Sequence, residues 1–205
     1  SQLYIFRGSP DKILNKLVKK YNVNKLYWNR LYDKYSIDRD SLIKQKLSNN
    51  LEIMSFKGSV INEPWDIKNK SGTFFKVFTP YWKTCLEDIK PFTLPKSVER
   101  YDTLKLNPSD IFFIEDLKLF PKKSLWTKNL SQNWVPGEKE ALKNLKNFKD
   151  NVINNYDEGR DRPDQNFTSK LSPHLHFGEI SPQRIFLEVK KKNIVNDLSK
   201  KKFLA

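Results

Sequence analysis

Short apolar runs alternate with amphipathic stretches through residues 3–56, and this alternation constrains the fold more than any other feature of the sequence. The stretches between the runs have helical spacing, the first beginning at Ser9-Pro10 and the second covering residues 38–47. Strands joined through helices of this length form a parallel sheet, because the crossovers are right-handed. Such a sheet binds ligands at the carboxyl ends of its strands. The three predicted strands are residues 3–6 (LYIF), 25–29 (KLYWN) and 52–56 (EIMSF).

From residue 136 onward, the apolar residues recur only at helical spacing. Further helices are predicted to begin near Leu171 and at Ser181-Pro182, where a hydroxyl precedes a proline. The second half of the chain is therefore expected to be helical. The apolar face of its first, long helix consists of Ala141, Leu142, Leu145, Phe148, Val152 and Tyr156.

These patterns divide the chain into three predicted parts. Residues 1–90 are an α/β domain, and its last helix has Thr79 as N-cap and Pro80 as first residue. Residues 91–135 are rich in proline and have little periodicity, which is typical of a connecting segment. Residues 136–205 begin a helical domain that ends before it encloses a core, and the chain is expected to be a piece of a longer protein.

The net charge of +14 comes mostly from lysines spread along the whole chain. Basic side chains release counterions when they meet phosphates, so the charge favours a polyanionic partner. A lysine-rich surface set by genomic composition would give the same charge. On charge alone, both interpretations stay open.

The single cysteine, Cys85, excludes an internal disulfide and favours a reducing compartment, with the cytoplasm as the expected location. No apolar run is long enough to span a membrane, and the first residues lack the pattern of a signal peptide. No membrane partner is therefore expected.

Residues 168–186 (TSKLSPHLHFGEISPQRIF) hold both histidines of the chain and several hydroxyls. His174 and His176 fall on different sides of a helix, so one is expected to be buried and one exposed, with no metal between them. Hydroxyls before a helix usually act as N-caps, and Thr168, Ser169 and Ser172 are expected to do so here. A helix N-terminus with neighbouring hydroxyls also binds phosphate, although the chain has no glycine-rich phosphate motif. Capping and phosphate binding are compatible here.

The same region carries a family resemblance. "YDEGRDRPDQNFTSKLSPHLHFGEISPQRIF" contains, in order, a tyrosine, an Arg-Asp-x-Pro step, a Thr-Ser-x-Leu-Ser-Pro segment and a Phe-Gly-x-Ile-Ser-Pro segment. This order resembles the entry to the flavin-binding domain of the DNA photolyase and cryptochrome family. "WVPGEKEALKNLKNF" resembles the helix that precedes it, and "KVFTPYWK" and "LYWNR" resemble segments of the family's N-terminal domain. The resemblance covers nearly the whole chain.

The resemblance implies an α/β domain with a doubly wound parallel sheet, followed by the start of an all-α FAD-binding domain. Lys170 stands where the family often has arginine, which keeps the charge but loses the planar fork. Arg160 resembles a family arginine near the DNA-facing surface, and an ion pair with Asp161 is its structural alternative. The residues that the resemblance places around FAD are Tyr156, Thr168, Ser169, Lys170, Leu171 and Ser172.

The resemblance also implies an activity for the full-length protein, expected to be a monomer. Reduced FAD would transfer an electron under light to a cyclobutane pyrimidine dimer that is flipped out of damaged DNA. The family's later half is not in this chain, so the chain alone is expected to be inactive. Where family members with a folate antenna carry an Asn-Glu pair, this chain has Tyr35 and Ser36, which leaves a deazaflavin or no antenna.

Two alternatives remain. A cryptochrome-like photoreceptor would bind FAD and signal without repairing DNA. A basic nucleic-acid-binding module without a cofactor would explain the charge alone.

Overall fold

The computed structural model of the protein describes residues 3–49, 51–89, 92–94, 102–107, 111–119 and 125–205. The chain divides into two compact units. The first comprises Ser1–Phe56 and Pro95–Trp134, and the second comprises Lys57–Leu94 and Val135–Ala205. The predicted boundaries after residues 90 and 135 stay a prediction, and part of the connecting segment lies outside the described residues.

Two of the three predicted strands form a parallel pair in the first unit. Strands β1 (Lys25–Asn29) and β2 (Glu52–Phe56) run in register, with Lys25 opposite Glu52 and Asn29 opposite Phe56. Helix α1 (Pro10–Tyr21) precedes β1, and α2 (Lys34–Leu47) makes the crossover between the strands. The predicted fold class, an α/β part with a parallel sheet followed by a helical part, is confirmed.

The predicted strand over residues 3–6 is wrong. Ile5 forms a single antiparallel bridge with Phe112, and the Tyr4 hydroxyl donates to the Leu104 carbonyl at 2.7 Å. A strand needs a neighbour along its whole length. Within the described ranges, residues 3–6 pair with another segment only at the Ile5–Phe112 bridge.

Helix α2 begins four residues earlier than predicted, at Lys34 instead of Asp38. The Asp33 carboxylate accepts a hydrogen bond from the backbone N–H of Ser36 at 2.9 Å, which caps the helix at this earlier position. Hydrogen bonds from the side chain and then the backbone of Ser36 lower the pKa of Asp33. Behind this cap, Ile43 and Leu47 are buried together with Leu51 against the strand pair.

Helix α3 (Phe78–Asp88), in the second unit, also starts before its predicted position. Val77 is the N-cap, so Thr79 does not cap the helix and Pro80 lies in the first turn. Proline is tolerated there because the first N–H groups of a helix have no intrahelical acceptor. The helix buries Cys85. The next α-helix among the described residues, α4 (Leu125–Asn133), belongs to the first unit.

The long helix predicted from residue 136 changes its winding after ten residues. Helix α5 (Glu138–Asn147) passes into a π-helical turn (Phe148–Val152), a 3-10 turn (Ile153–Asn155) and the short helix α6 (Tyr156–Gly159). A π turn adds a residue to the helical repeat and shifts the face that follows it. The sequence pattern, which assumes a constant repeat, could not predict this shift.

The predicted apolar face is confirmed up to the π turn and altered after it. Ala141, Leu145 and Phe148 are buried as predicted. Beyond the turn, Ile153 is 1% exposed, whereas Val152 only packs against the margin of the core. The expectation that residues 136–205 end before they enclose a core is wrong, because these residues bury an apolar core. It consists of Ala141, Leu145, Phe148, Ile153, Leu171, Ile180, Ile185, Val189 and Ile194.

Three further helices complete the second unit as far as the structure describes it. Helix α7 (Ser172–His176) and α8 (Pro182–Lys191) confirm the two predicted starts, and α9 (Asp197–Leu204) was not predicted. The buried Ser199 of α9 donates to the Asp157 carboxylate at 2.5 Å, which fixes this helix to α6 and lowers the pKa of Asp157. None of the helices described has the length and apolarity needed to cross a bilayer.

Ser181→Ala is expected to lower the free energy of unfolding by about 1 kcal/mol, because the Ser181 hydroxyl accepts from the Arg184 N–H at 3.1 Å. The matched control is Ser172→Ala at the start of α7, where no side chain caps the helix. We expect the control to change the free energy by less than about 0.5 kcal/mol in urea unfolding. Equal losses in the two variants would contradict this assignment of the cap.

Candidate functional site

Three of the predicted cofactor residues line one cavity of about 270 Å³ in the second unit. Lys170 is the single charged residue among those that line it. Phe148 is apolar, and the others carry uncharged amide or hydroxyl groups. The cavity therefore offers hydrogen-bond donors and acceptors around one positive charge, which suits an anion such as a phosphate. The lining residues are Asn144, Asn147, Phe148, Asn166, Thr168, Ser169 and Lys170.

The backbone at Lys170 has a left-handed conformation, with φ at 54°. This region is uncommon for a residue with a side chain and persists only where the surroundings hold it. The Ser169 hydroxyl accepts from the Leu171 N–H at 3.4 Å across the turn. The turn brings Thr168, Ser169 and Lys170 to the cavity while Leu171 enters the core.

The other predicted cofactor residues do not line this cavity. Leu171 is 1% exposed within the core, and Ser172 is the exposed first residue of α7 without a capping bond. The predicted cap at Ser172 is wrong because the backbone of Leu171 occupies the N-cap position. Tyr156 packs edge-on against Phe148 and Phe203, with ring centroids 5.7 and 5.3 Å away. The roles of these residues toward FAD stay a prediction.

Arg160 lies beside the aromatic cluster at Tyr156. Its guanidinium is 5.5 Å from the Tyr156 ring centroid, and its Nε is 3.5 Å from the Asp161 carboxylate. Both side chains of this ion pair are exposed to solvent, where such pairs contribute little to stability. The predicted contact of Arg160 with DNA stays a prediction.

Three asparagines of the cavity wall were not among the predicted site residues: Asn144, Asn147 and Asn166. Asn144 and Asn147 are three residues apart on α5, which places them on one helix face. That spacing could have indicated a shared site. It did not stand out, because polar residues opposite an apolar stripe usually face solvent.

Gly159 determines how the cavity-lining segment packs on α6. A Cβ at this buried position would lie inside the van der Waals contact distance of the Phe167 ring and its Cβ. The missing side chain therefore admits Phe167 against the end of α6. Since Phe167 directly precedes Thr168, this contact positions the segment that lines the cavity.

The two histidines are divided as predicted. His174 is 2% exposed, and His176 lies at the surface. The ring of His174 lies 2.5 Å from the Glu179 carboxylate, and this hydrogen bond lowers the pKa of Glu179. Over the described ranges, no three His, Cys, Asp or Glu side chains come close enough to hold a metal ion.

Residues 1–99 match the family model described as DNA photolyase. Over 186 residues the chain is 35% identical to a deoxyribodipyrimidine photo-lyase of Agrobacterium fabrum, an alignment that covers 90% of this chain and 39% of the relative. It is 30% identical over 197 residues to Cryptochrome-1 of Arabidopsis thaliana, covering 93% of this chain and 28% of the relative.

The crystal structure of a bacterial class III photolyase from Agrobacterium tumefaciens superposes with a TM-score of 0.88 at 34% identity. This superposition covers 96% of this chain and 41% of the other. The chain thus spans about two fifths of the length of the photolyases that it matches here, 39% and 41% in the two cases.

Proposed function

The chain belongs to the DNA photolyase and cryptochrome family, and from this membership we propose that it is part of a FAD-dependent photolyase that repairs pyrimidine dimers in DNA. Its α/β part supplies the family's N-terminal domain, and its helical part supplies one wall of the FAD site. We do not propose a folate antenna. The full-length protein is proposed to carry either a deazaflavin antenna or no antenna.

The observation that carries the proposal is the convergence of Thr168, Ser169 and Lys170 on one cavity. The Lys170 ammonium supplies the charge that a diphosphate requires, and the two hydroxyls supply hydrogen bonds. The left-handed turn at Lys170 keeps this constellation in place. Tyr156, Leu171 and Ser172 are proposed to contact FAD outside the cavity.

The size of the cavity limits which part of FAD it holds. Pockets that enclose a drug-sized ligand have volumes of about 300–1,000 Å³, and this cavity, at about 270 Å³, lies below that range. It fits the phosphates of a dinucleotide and not the whole molecule. The flavin ring is proposed to bind against parts of the longer protein.

FAD, when bound and reduced, would supply the light-driven electron that splits the dimer. The residues of this chain would bind the phosphates, keep water away through the core behind Leu171, and orient the cofactor. Arg160, whose side chain is 43% exposed, is proposed to bind a DNA phosphate.

A cryptochrome-like photoreceptor is the second candidate function. The 30% identity to Arabidopsis Cryptochrome-1 is close to the 35% identity to the bacterial photolyase, so similarity does not separate the two. Both candidates require FAD. A cofactor-free nucleic-acid-binding module requires none.

The test uses the purified full-length protein that contains this chain. A flavin absorption spectrum and light-dependent reversal of pyrimidine dimers in oligonucleotides are the expected results. Flavin without dimer reversal would favour the photoreceptor, and DNA binding by a colourless protein that takes up no added FAD would favour the cofactor-free module.

A further inference from the structure

A buried hydrogen-bonded pair, His174 and Glu179, lies directly behind the cavity wall. The Nδ1 atom of His174 is 2.5 Å from Oε2 of Glu179, and His174 is almost fully buried. A charged Glu179 accepts hydrogen bonds and donates none, so Nδ1 of the ring must carry the proton that joins the pair. The lowered pKa of Glu179, caused first by His174 and then by the backbone of Gly137, keeps this carboxylate charged.

The other ring nitrogen of His174 meets the cavity residue Asn144. The Nε2 atom lies 3.2 Å from Nδ2 of Asn144, an amide nitrogen that can only donate. With the proton on Nδ1, the Nε2 atom is the ring nitrogen that can accept from this amide. The positions of all three side chains therefore agree with one tautomer of His174.

This arrangement determines which end of the Asn144 amide is available to a ligand. The nitrogen end is bound to His174, and no side chain or backbone group within the described ranges bonds the amide oxygen. Asn144 lines the cavity together with Thr168 and Lys170. An oxygen presented there accepts hydrogen bonds, and it would repel the oxygen of a phosphate.

We propose that His174 and Glu179 are positioning residues that hold the Asn144 amide with its oxygen toward the cavity, where it accepts a hydrogen bond from a sugar or ribityl hydroxyl beside the bound phosphates. The inference rests on the proposed function, since it takes the phosphates of FAD to be the occupant. The cavity then has a cationic side at Lys170, which binds phosphate. Its other side, at Asn144, accepts hydrogen bonds and selects ligands that carry a hydroxyl.

The first test reads the tautomer directly. His174 and His176 are the only two histidines of this chain. NMR of the chain with ¹⁵N-labelled histidine therefore gives two sets of ring signals, which a His176→Gln variant assigns. Nδ1 protonated and Nε2 bare at His174 is the expected result. A ring protonated at both nitrogens, or at Nε2 alone, would overturn the proposal.

The second test compares two ligands in the full-length protein. Asn144→Ala is expected to weaken FAD binding by about two- to tenfold, the effect of one lost hydrogen bond. Inorganic pyrophosphate, which has no sugar hydroxyl, should bind the variant within about twofold of wild type. Glu179→Gln weakens the hydrogen bond to His174, so it should also lower the affinity for FAD. The substitution of the exposed His176, His176→Gln, serves as the control.

The outcomes separate this inference from the function on which it rests. Equal losses for FAD and pyrophosphate, or no loss for either, would overturn the role of Asn144 while leaving the phosphate site intact. A wild-type protein that binds neither ligand would overturn the proposed function itself.

Discussion

Gly159→Ala is expected to destabilise the protein by about 2–3 kcal/mol, because the added methyl group would occupy the space of the Phe167 side chain. Ordinarily, the same substitution inside a helix stabilises it by about 1 kcal/mol. The predicted sign is therefore opposite to the usual one. Urea unfolding followed by circular dichroism measures the difference.

The control for this prediction is the same substitution in a Phe167→Gly background. There the methyl group meets neither the ring nor the Cβ of residue 167, so most of the destabilisation by Gly159→Ala should disappear. A double-mutant cycle should give a coupling energy of about 1–3 kcal/mol, as expected for residues in direct contact. If Gly159→Ala has the same effect in both backgrounds, the close packing of Gly159 against Phe167 is not its cause.

Phe148→Ala is expected to have the largest effect, a loss of about 3–5 kcal/mol in the free energy of unfolding. Phe148 is 1% exposed, and its ring centroid lies 4.4 Å from that of Phe203 and 5.7 Å from that of Tyr156. Its removal would leave a void between the π turn and α9, and the remaining rings could fill it only in part.

The matched control is Phe177→Ala, since Phe177 is 74% exposed at the end of α7. Removing an exposed ring should change the stability by less than about 0.5 kcal/mol. Losses of similar size in both variants would contradict the description of Phe148 as a buried residue of the helical core.

The sequence predicted elements whose determinants are local. Strands β1 and β2 occur at the predicted residues, and α8 begins at the predicted Ser181-Pro182 step. Residues 3–6 have an equally apolar pattern, but a strand also needs a partner along its length. Pairing is a tertiary property that a short run does not encode.

Packing of side chains explains the errors in the helical part. The π turn at Phe148 rotates the following residues so that Ile153 is buried in place of Val152. A constant helical repeat cannot anticipate this rotation. The cap predicted at Ser172 failed because the backbone at Leu171 starts the helix one residue earlier.

The candidate site was predictable in part. The Thr-Ser-x-Leu-Ser-Pro motif identified Thr168, Ser169 and Lys170, which line the cavity. Asn144 and Asn147 belong to a helix distant in sequence, and the fold alone brings them to the same cavity. The packing role of Gly159 could not be predicted either, because the sequence does not show that Phe167 packs against it.

The most direct test of the proposed phosphate site is the amount of FAD that the full-length protein retains after desalting. Wild type and the control Lys146→Ala, an exposed lysine on α5, should both retain it. The variant Thr168→Ala/Lys170→Ala loses a charged and a neutral hydrogen bond, so its affinity should fall by more than about tenfold, with correspondingly less FAD retained. Full retention of FAD by the folded double variant would contradict the account.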